Sequence, residues 1–427
     1  MHFTIPYGSS TLTANAAWAV NLGTLTVADG PGLSNLPDAL QSGLAHPIGG
    51  RPLHEGLDAK DTVLIVVSDS FRKTGIHLVL PTLVDFLNEH GIDDQQISFL
   101  FATGTHRPPD VEEQIEILGP SIYDRFAERA YAHDPHDEAQ LVYQGRTRRG
   151  TPVFINRRAC DADVVIATGS VVLHYFGGFG GGRKSIVPGI AGVKTIAANH
   201  SLNLDPAENR LNPDVAIGRL VGNPVAEDML EGALLCPVDF LINTVQNRAG
   251  EIAGLYCGDL EAAHEEACRF AAAQFTVPIT EKADFVVASA GSAKNFIQSH
   301  KSLYNAYQVV KPGGVVILAT PAPEGYGGNK FMDWLNLGSA DAIIAELRKH
   351  AEINGQTALS TLEKAKNALF ITEMADADVA ALGAQRFASL EAALETTRQR
   401  LTSRGIRRPT CYIMPDASFS VPTFSER

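Results

Sequence analysis

Cysteine is scarce in this sequence: Cys160, Cys236, Cys257, Cys268 and Cys411 are spread through 427 residues without a CxxC pair. That pattern argues against a disulfide framework and fits a reducing cytoplasm, with the free thiols serving as small buried hydrophobes. No run reaches the roughly 18 apolar residues that a membrane span needs. Met1 to Asn15 lacks the cationic start and apolar core of an export signal, so a soluble cytoplasmic protein is expected. Basic residues are outnumbered, 35 to 48, for a formal charge of −13. This balance disfavours nucleic acid or an anionic membrane as a general partner, so any anion must be held by a local cluster. No internal repeat or low-complexity tract stands out.

What is present is length and α/β punctuation. The chain exceeds the roughly 250 to 300 residues at which one core stops growing, so two domains are expected. Short β-branched runs, Val63–Val67, Ile97–Phe101 and Val164–Ala167, each end in small or polar residues, as buried parallel strands running into functional loops do. Between the first two, Pro81–His90 repeats its apolar residues at helical spacing before Gly91 stops it, which makes a βαβ unit. A second series follows: a strand at Phe285–Ala288, a helix over Gln298–Val310 and a strand at Val315–Ala319. Shorter strands are expected at Ala368–Ile371 and Thr410–Met414, and an Ala/Glu-rich helix over Asp259–Gln274. The reading is an α/β protein of two α/β domains with mainly parallel sheets and the active site in the cleft between them. Residues 1–273 would form the cofactor-binding and catalytic domain. Residues 274–427 would form a closing domain, with its strand at 410–414 able to pack back on the first.

The densest signal is Leu173 to His200, where a glycine run ends in Arg183-Lys184-Ser185 between His174 and His200. Glycine lets backbone approach a ligand closely because no Cβ intervenes. The P-loop pattern fails by one residue and is disfavoured, since Arg183 stands between Gly182 and Lys184 and Pro188 would break the helix that must follow. The dinucleotide fingerprint GxGxxG also fails, because Arg183 or Ser185 falls where its third glycine belongs. A plain flexible hinge remains the alternative. Three strand ends weigh toward a site: Ser68-Asp69-Ser70-Phe71-Arg72-Lys73, Ala102-Thr103-Gly104-Thr105-His106-Arg107, and Thr168-Gly169-Ser170 leading to His174. Each taken alone is a polar capping loop; together they offer hydroxyls, a carboxylate, cations and imidazoles at the sheet edge where α/β ligands gather.

With these motifs in their order, the chain resembles the nickel-dependent lactate racemase family over nearly its whole length. The resemblance rests on Ser68-Asp-Ser-Phe-Arg72, Ala102-Thr-Gly-Thr-His-Arg107, His174, Gly-Gly-Arg-Lys-Ser185 with Pro188-Gly189, Asn199-His200 and Asn295-Phe-Ile-Gln-Ser-His-Lys301. It implies a nickel pincer nucleotide, a pyridinium mononucleotide with two sulfur-bearing arms, covalently attached at Lys184. His200 would be the protein ligand of Ni(II), a soft, tetragonal setting that suits nickel. Asp69, Gly169, Ser170 and Ser185 would line the cofactor site. His106 and His174 would be paired acid/base residues, and Arg72, Gln298 and Lys301 would hold the substrate.

The implied reaction is racemisation or epimerisation at carbon 2 of a 2-hydroxy acid. Removing the α-proton is difficult beside a carboxylate that barely acidifies it, so reversible hydride transfer with histidine proton exchange is the expected route. The partners implied are a small 2-hydroxy acid and the proteins that make the cofactor. The alternative is a nickel- or nucleotide-cofactor-binding protein without turnover; a phosphotransferase is disfavoured by Arg183 and Pro188.

The chain departs from the family at Ala290-Gly-Ser-Ala-Lys294, where a Gly-Tyr-Pro-Lys-Asp type of sequence is usual. Ser292 and Ala293 either leave room for a longer substrate or are neutral loop variation. The turn Glu324–Gly328 and Trp334 either complete the pocket or belong to the core. His77, His90, His133, His136, His264 and His350 read as ordinary surface or packed residues. The cluster at 133–137 is the one among them suited to adventitious metal.

Overall fold

The computed structural model describes residues 1–424 and divides the chain into two compact units. The first comprises Asp29–Asn203 and Asn212–Gln274; the second comprises Met1–Ala28, Leu204–Leu211 and the chain from Phe275 onward.

The first unit is built on a six-stranded sheet in the order Ile252–Gly258, Phe240–Gln246, Val164–Ser170, Val63–Ser68, Ile97–Ala102, Ala130–Ala132. All neighbours are parallel except Ile252–Gly258, which runs antiparallel to Phe240–Gln246. Because successive side chains point to opposite faces, each strand feeds two cores. Val63, Ile65 and Val67 pack with Phe99, Ile166 and the helix Leu80–Glu89 on one face. Leu64, Val66, Val165 and Ala167 pack on the other, where they meet Phe176, Ile186, Val187 and Ile190 of the glycine-rich segment. That segment is thereby fastened to the sheet.

The second unit has a six-stranded, wholly parallel sheet in the order Gln385–Phe387, Ala368–Ile371, Val310–Ala319, Ala283–Ser289, Thr410–Met414, Val20–Thr24. Its alternate residues again divide, with Val286, Val316 and Phe370 on one side and Phe285, Val287, Ile317 and Leu369 on the other. Trp334 and Tyr326 are buried in the first of these cores, Trp334 donating to Glu352 at 2.9 Å and Tyr326 to the Asp378 carbonyl at 3.0 Å.

The expected division changes at the N-terminus. Residues 1–28 belong to the second unit, since the hairpin His2–Tyr7/Ser10–Asn15 buries Phe3, Ile5 and Ala14 on its sheet and Val20–Thr24 pairs with Thr410–Met414. Thr410–Met414 is an inner strand of that sheet and does not return to the first unit. The chain passes to the second unit after Gln274, and Leu204–Leu211, inside the span expected for the first, also belongs to the second. No helix among the described residues is long and apolar enough to cross a membrane.

Candidate active site

Three adjacent parallel strands of the first unit deliver the motif loops to one sheet edge. Val63–Ser68 ends in Asp69, Ile97–Ala102 in Thr103–His106, and Val164–Ser170 runs toward His174. The second loop is tied to the glycine segment by Gly104 N–H donating to the Gly189 carbonyl at 2.9 Å, and to the neighbouring strand by Thr103 Oγ1 donating to the His133 carbonyl at 2.7 Å.

Asp69 is buried and its Oδ2 lies 2.5 Å from Nδ1 of the half-exposed His106. A buried carboxylate on Nδ1 fixes the ring and leaves Nε2 as the lone-pair side, the arrangement of a general base. His174 is held the other way round: its Nδ1 accepts from the backbone N–H groups of Phe176 and Gly177, both at 3.2 Å. The neutral ring then carries its proton on Nε2. The two imidazoles thus differ in which atom is basic.

Lys184 runs beside the loop that follows His174, its Cδ 3.7 Å from where a Cβ on Gly177 would stand. Its ammonium has no carboxylate partner among the described residues. Burial, then the charges of Arg72 and Arg183, push it well below the usual lysine value. The exposed Arg72 therefore stands near Lys184. His200, on the helix Val193–Ser201, is buried against Phe176 at 4.7 Å between ring centroids. Burial, with the Lys184 charge, pushes its imidazole down to about 3. A ring neutral at physiological pH is the form that ligates a metal.

Several glycines of this segment are required by packing within the protein itself. A Cβ on Gly178 would stand 2.1 Å from the Arg219 carbonyl oxygen, one on Gly189 2.2 Å from the Ser185 oxygen, and one on Gly182 2.4 Å from the His264 ring. The crowding comes from protein, so these glycines allow the segment to pack on its own sheet. Ser185 is drawn into that packing, its hydroxyl donating to the Thr168 carbonyl at 2.7 Å, and Gly169 faces Ser185 and Gly181.

Whether a phosphorylated metal cofactor fits is decided by the polar atoms left over. Asp69 Oδ1, Ser170 Oγ and Asn199 Oδ1 are buried without a hydrogen-bond partner among the described residues. Each such atom costs about 1–3 kcal/mol unless a ligand satisfies it. With the Lys184 amine and the neutral His200, they make a donor and acceptor set that fits the group. Among the described residues no three His, Cys, Asp or Glu side chains converge as a metal site.

Gln298 and Lys301 lie three residues apart on the helix Phe296–Gln308 of the second unit, capped by Asn295, whose side chain accepts the Gln298 N–H at 3.1 Å. Burial pushes the half-buried Lys301 down to about 8, partly opposed by Asp416. Its neighbour His300 is buried and lowered to about 3. The 133–137 cluster forms no ligand set: His133 spends its ring on the Ala191 carbonyl and on Asn156, both at 3.0 Å. His77, His90, His136 and His350 are exposed. The packing roles of Arg183, Asn243 and His264 were invisible in sequence, because the contacts Asn243–Gly182, Arg183–Ala226 and Arg183–His264 join residues more than 40 apart.

Comparison with known proteins agrees with this arrangement. The lactate racemase N-terminal domain model matches residues 7–211 and the lactate racemase C-terminal domain model residues 279–405. The lactate racemase of Lactiplantibacillus plantarum is 34% identical over 307 residues, 71% of this chain and 70% of that protein. That of Thermoanaerobacterium thermosaccharolyticum is 32% identical over 335 residues, 77% of this chain and 76% of that protein. The solved lactate racemase apoprotein from the latter organism superposes with a TM-score of 0.88 at 26% identity, covering 99% of this chain and all of that one. A Thermotoga maritima protein shares the fold at 20% identity, with a TM-score of 0.66 over 93% of this chain and all of that one. With both domains matched in order and both sheets in place, the chain belongs to the lactate racemase family.

Proposed function

We propose that this protein racemises or epimerises a 2-hydroxy acid at carbon 2, with a nickel pincer nucleotide attached at Lys184 and nickel held by His200. That it is an isomerase follows from its family. When bound, the cofactor supplies a reversible acceptor for the hydride of carbon 2.

The protein's own side chains do the rest. His106 takes the hydroxyl proton at Nε2 while Asp69 steadies the imidazolium through Nδ1, and the substrate becomes a planar 2-oxo acid. The oxygen takes that proton back from the His106 imidazolium as the 2-oxo acid is reduced again, while the neutral His174 steadies the oxygen from the other face through its Nε2–H. The two histidines would serve opposite enantiomers. Arg72 offers a planar fork to the carboxylate, and Gln298 and Lys301 add an amide and an ammonium. Asp69, Ser170 and Asn199 satisfy the polar rim of the cofactor.

The Asp69–His106 pair at 2.5 Å carries this reading. A protein that merely stores the cofactor needs no buried carboxylate on an imidazole. Its five free cysteines accord with a reducing cytoplasm, where the cofactor-making proteins would load it.

The test is production with and without the cofactor-synthesis proteins, followed by peptide mass spectrometry, nickel analysis and chiral chromatography of 2-hydroxy acids. The expected result is an adduct on Lys184, one nickel per chain and interconversion of enantiomers, with a loss on the order of 10²- to 10⁴-fold in His106→Ala. A loaded protein that leaves every acid tried unchanged would move the assignment to cofactor storage. Full turnover by His106→Ala would remove the acid/base role.

A further inference from the structure

Arg183 is fully buried and touches no carboxylate among the described residues. Its guanidinium is solvated by the fold: Nη2 donates to the Gly177 carbonyl at 2.6 Å and Nε to the Ala226 carbonyl at 3.2 Å. Nη1 lies 3.2 Å from Nδ1 of His264, a buried residue of the helix Ala262–Phe275. The other ring nitrogen, Nε2, lies 3.0 Å from the Gly180 carbonyl. One tautomer satisfies both contacts, with Nδ1 accepting from the guanidinium and Nε2–H donating to the carbonyl. Burial and the Arg183 charge push His264 down to about 3, which keeps that neutral tautomer in place. The ring also presses on Gly182, where φ is +52° and no Cβ fits.

Two carbonyls of the glycine segment, Gly177 and Gly180, are therefore gripped from one buried pair, and the grip lies between His174 and Lys184. We infer that Arg183 and His264 are positioning residues that hold this segment in the shape presenting Lys184 for cofactor attachment. The inference rests on the reading of Lys184 as the attachment residue. An unanchored run of six glycines within residues 177–189 would otherwise lose backbone entropy at the moment of attachment. Preformed, the amine meets the cofactor at no such cost.

The experiment compares His264→Phe, which keeps a ring without polar atoms, with His264→Gln, which keeps one donor and one acceptor. Amide hydrogen exchange on unloaded protein reads the clamp without any cofactor. Amides of residues 177–185 should exchange at least tenfold faster in the Phe variant, with those of Val164–Ala167 unchanged and near wild-type rates restored by Gln. In loaded protein the fraction of Lys184 carrying the adduct at a fixed early time should follow the same order at unchanged melting temperature. If the Phe variant fails to fold, Arg183→Lys, which keeps the charge but loses the fork, gives the same reading. Wild-type exchange and wild-type adduct yield in the folded variant would overturn the clamp. Faster exchange with undiminished adduct would confine it to loop order and overturn its role in attachment. A wild-type protein that takes up no adduct at all would instead count against Lys184 as the attachment residue.

Discussion

The carboxyl edges of the two parallel sheets use the same kinds of residue to opposite ends. In the second unit the strand-end hydroxyls are closed on the fold: Ser289 donates to the Pro6 carbonyl at 2.6 Å, Thr320 pairs with Ser299 at 2.6 Å, and Thr372 donates to the Pro321 carbonyl at 3.1 Å. In the first unit Asp69 and Ser170, at two strand ends, and Asn199, on the helix of His200, each keep a buried polar atom without a partner. The orphaned atoms of the second unit among the described residues, on Ser302, Asn305, Gln308 and Ser420, lie on the helix Phe296–Gln308 and just before the strand Val421–Phe424, none at the carboxyl end of a sheet strand. A fold tolerates unsatisfied groups where a ligand repays them, so the difference supports the proposal that the cofactor sits in the first unit.

Glycine sharpens the comparison most. Gly178 has φ +72° and a carbonyl oxygen 2.1 Å from where its Cβ would go, whereas Gly291 of the second unit has φ +65° with nothing within 4 Å. Gly178→Ala should cost on the order of 4 kcal/mol in urea unfolding, combining backbone strain with a clash. Gly291→Ala should cost only the left-handed backbone penalty, about 1 kcal/mol. Equal losses would mean that the glycine segment is not packed as described.

Acid comes next. His264 in the first unit and His300 in the second are both held near 3 by burial, against about 6.5 in an unfolded chain. Their folded values are depressed, so the unfolded chain binds more protons between those limits. Stability is then fully present above pH 6.5 and lost as pH falls toward 3, on the order of 2 kcal/mol per histidine by pH 5. Melting curves from pH 7 to 4 should fall for both units, and His264→Gln should flatten the fall in the first unit alone. A fall unaffected by that substitution would place the acid sensitivity elsewhere.

The smallest effect belongs to Lys301. Its ammonium is lost as pH rises through about 8, so the KM for a 2-hydroxy acid should rise a few-fold between pH 7 and 8.5 while Lys184 keeps its adduct. A flat KM would remove Lys301 from the carboxylate contacts.

Much of this architecture was legible in advance where the signal was local. The runs at Val63, Ile97 and Val164 became strands, Pro81–His90 appears as the helix Leu80–Glu89, and Ala368–Ile371 and Thr410–Met414 are strands with those bounds. Asp69 and His106 meet because neighbouring parallel strands end side by side, which the βαβ reading already implied; Lys184 and His200 sit on the turn Gly182–Ser185 and the helix Val193–Ser201, which no strand signal placed. The N-terminal 28 residues were misplaced for a complementary reason. Their alternation shows a hairpin and a strand, yet nothing local says which of two sheets, each with an apolar face, will bury Phe3 and Ile5.

The sequence by itself determined the strand and helix periodicity, the polar strand ends and the family motifs, since these depend on side-chain type and short spacing. Only the tertiary structure decided which nitrogen of each histidine is basic, which hydroxyls are already spent, and that Arg183 and His264 grip the glycine segment. Those outcomes depend on partners that folding brings from distant parts of the chain, and on burial that no local window of sequence contains.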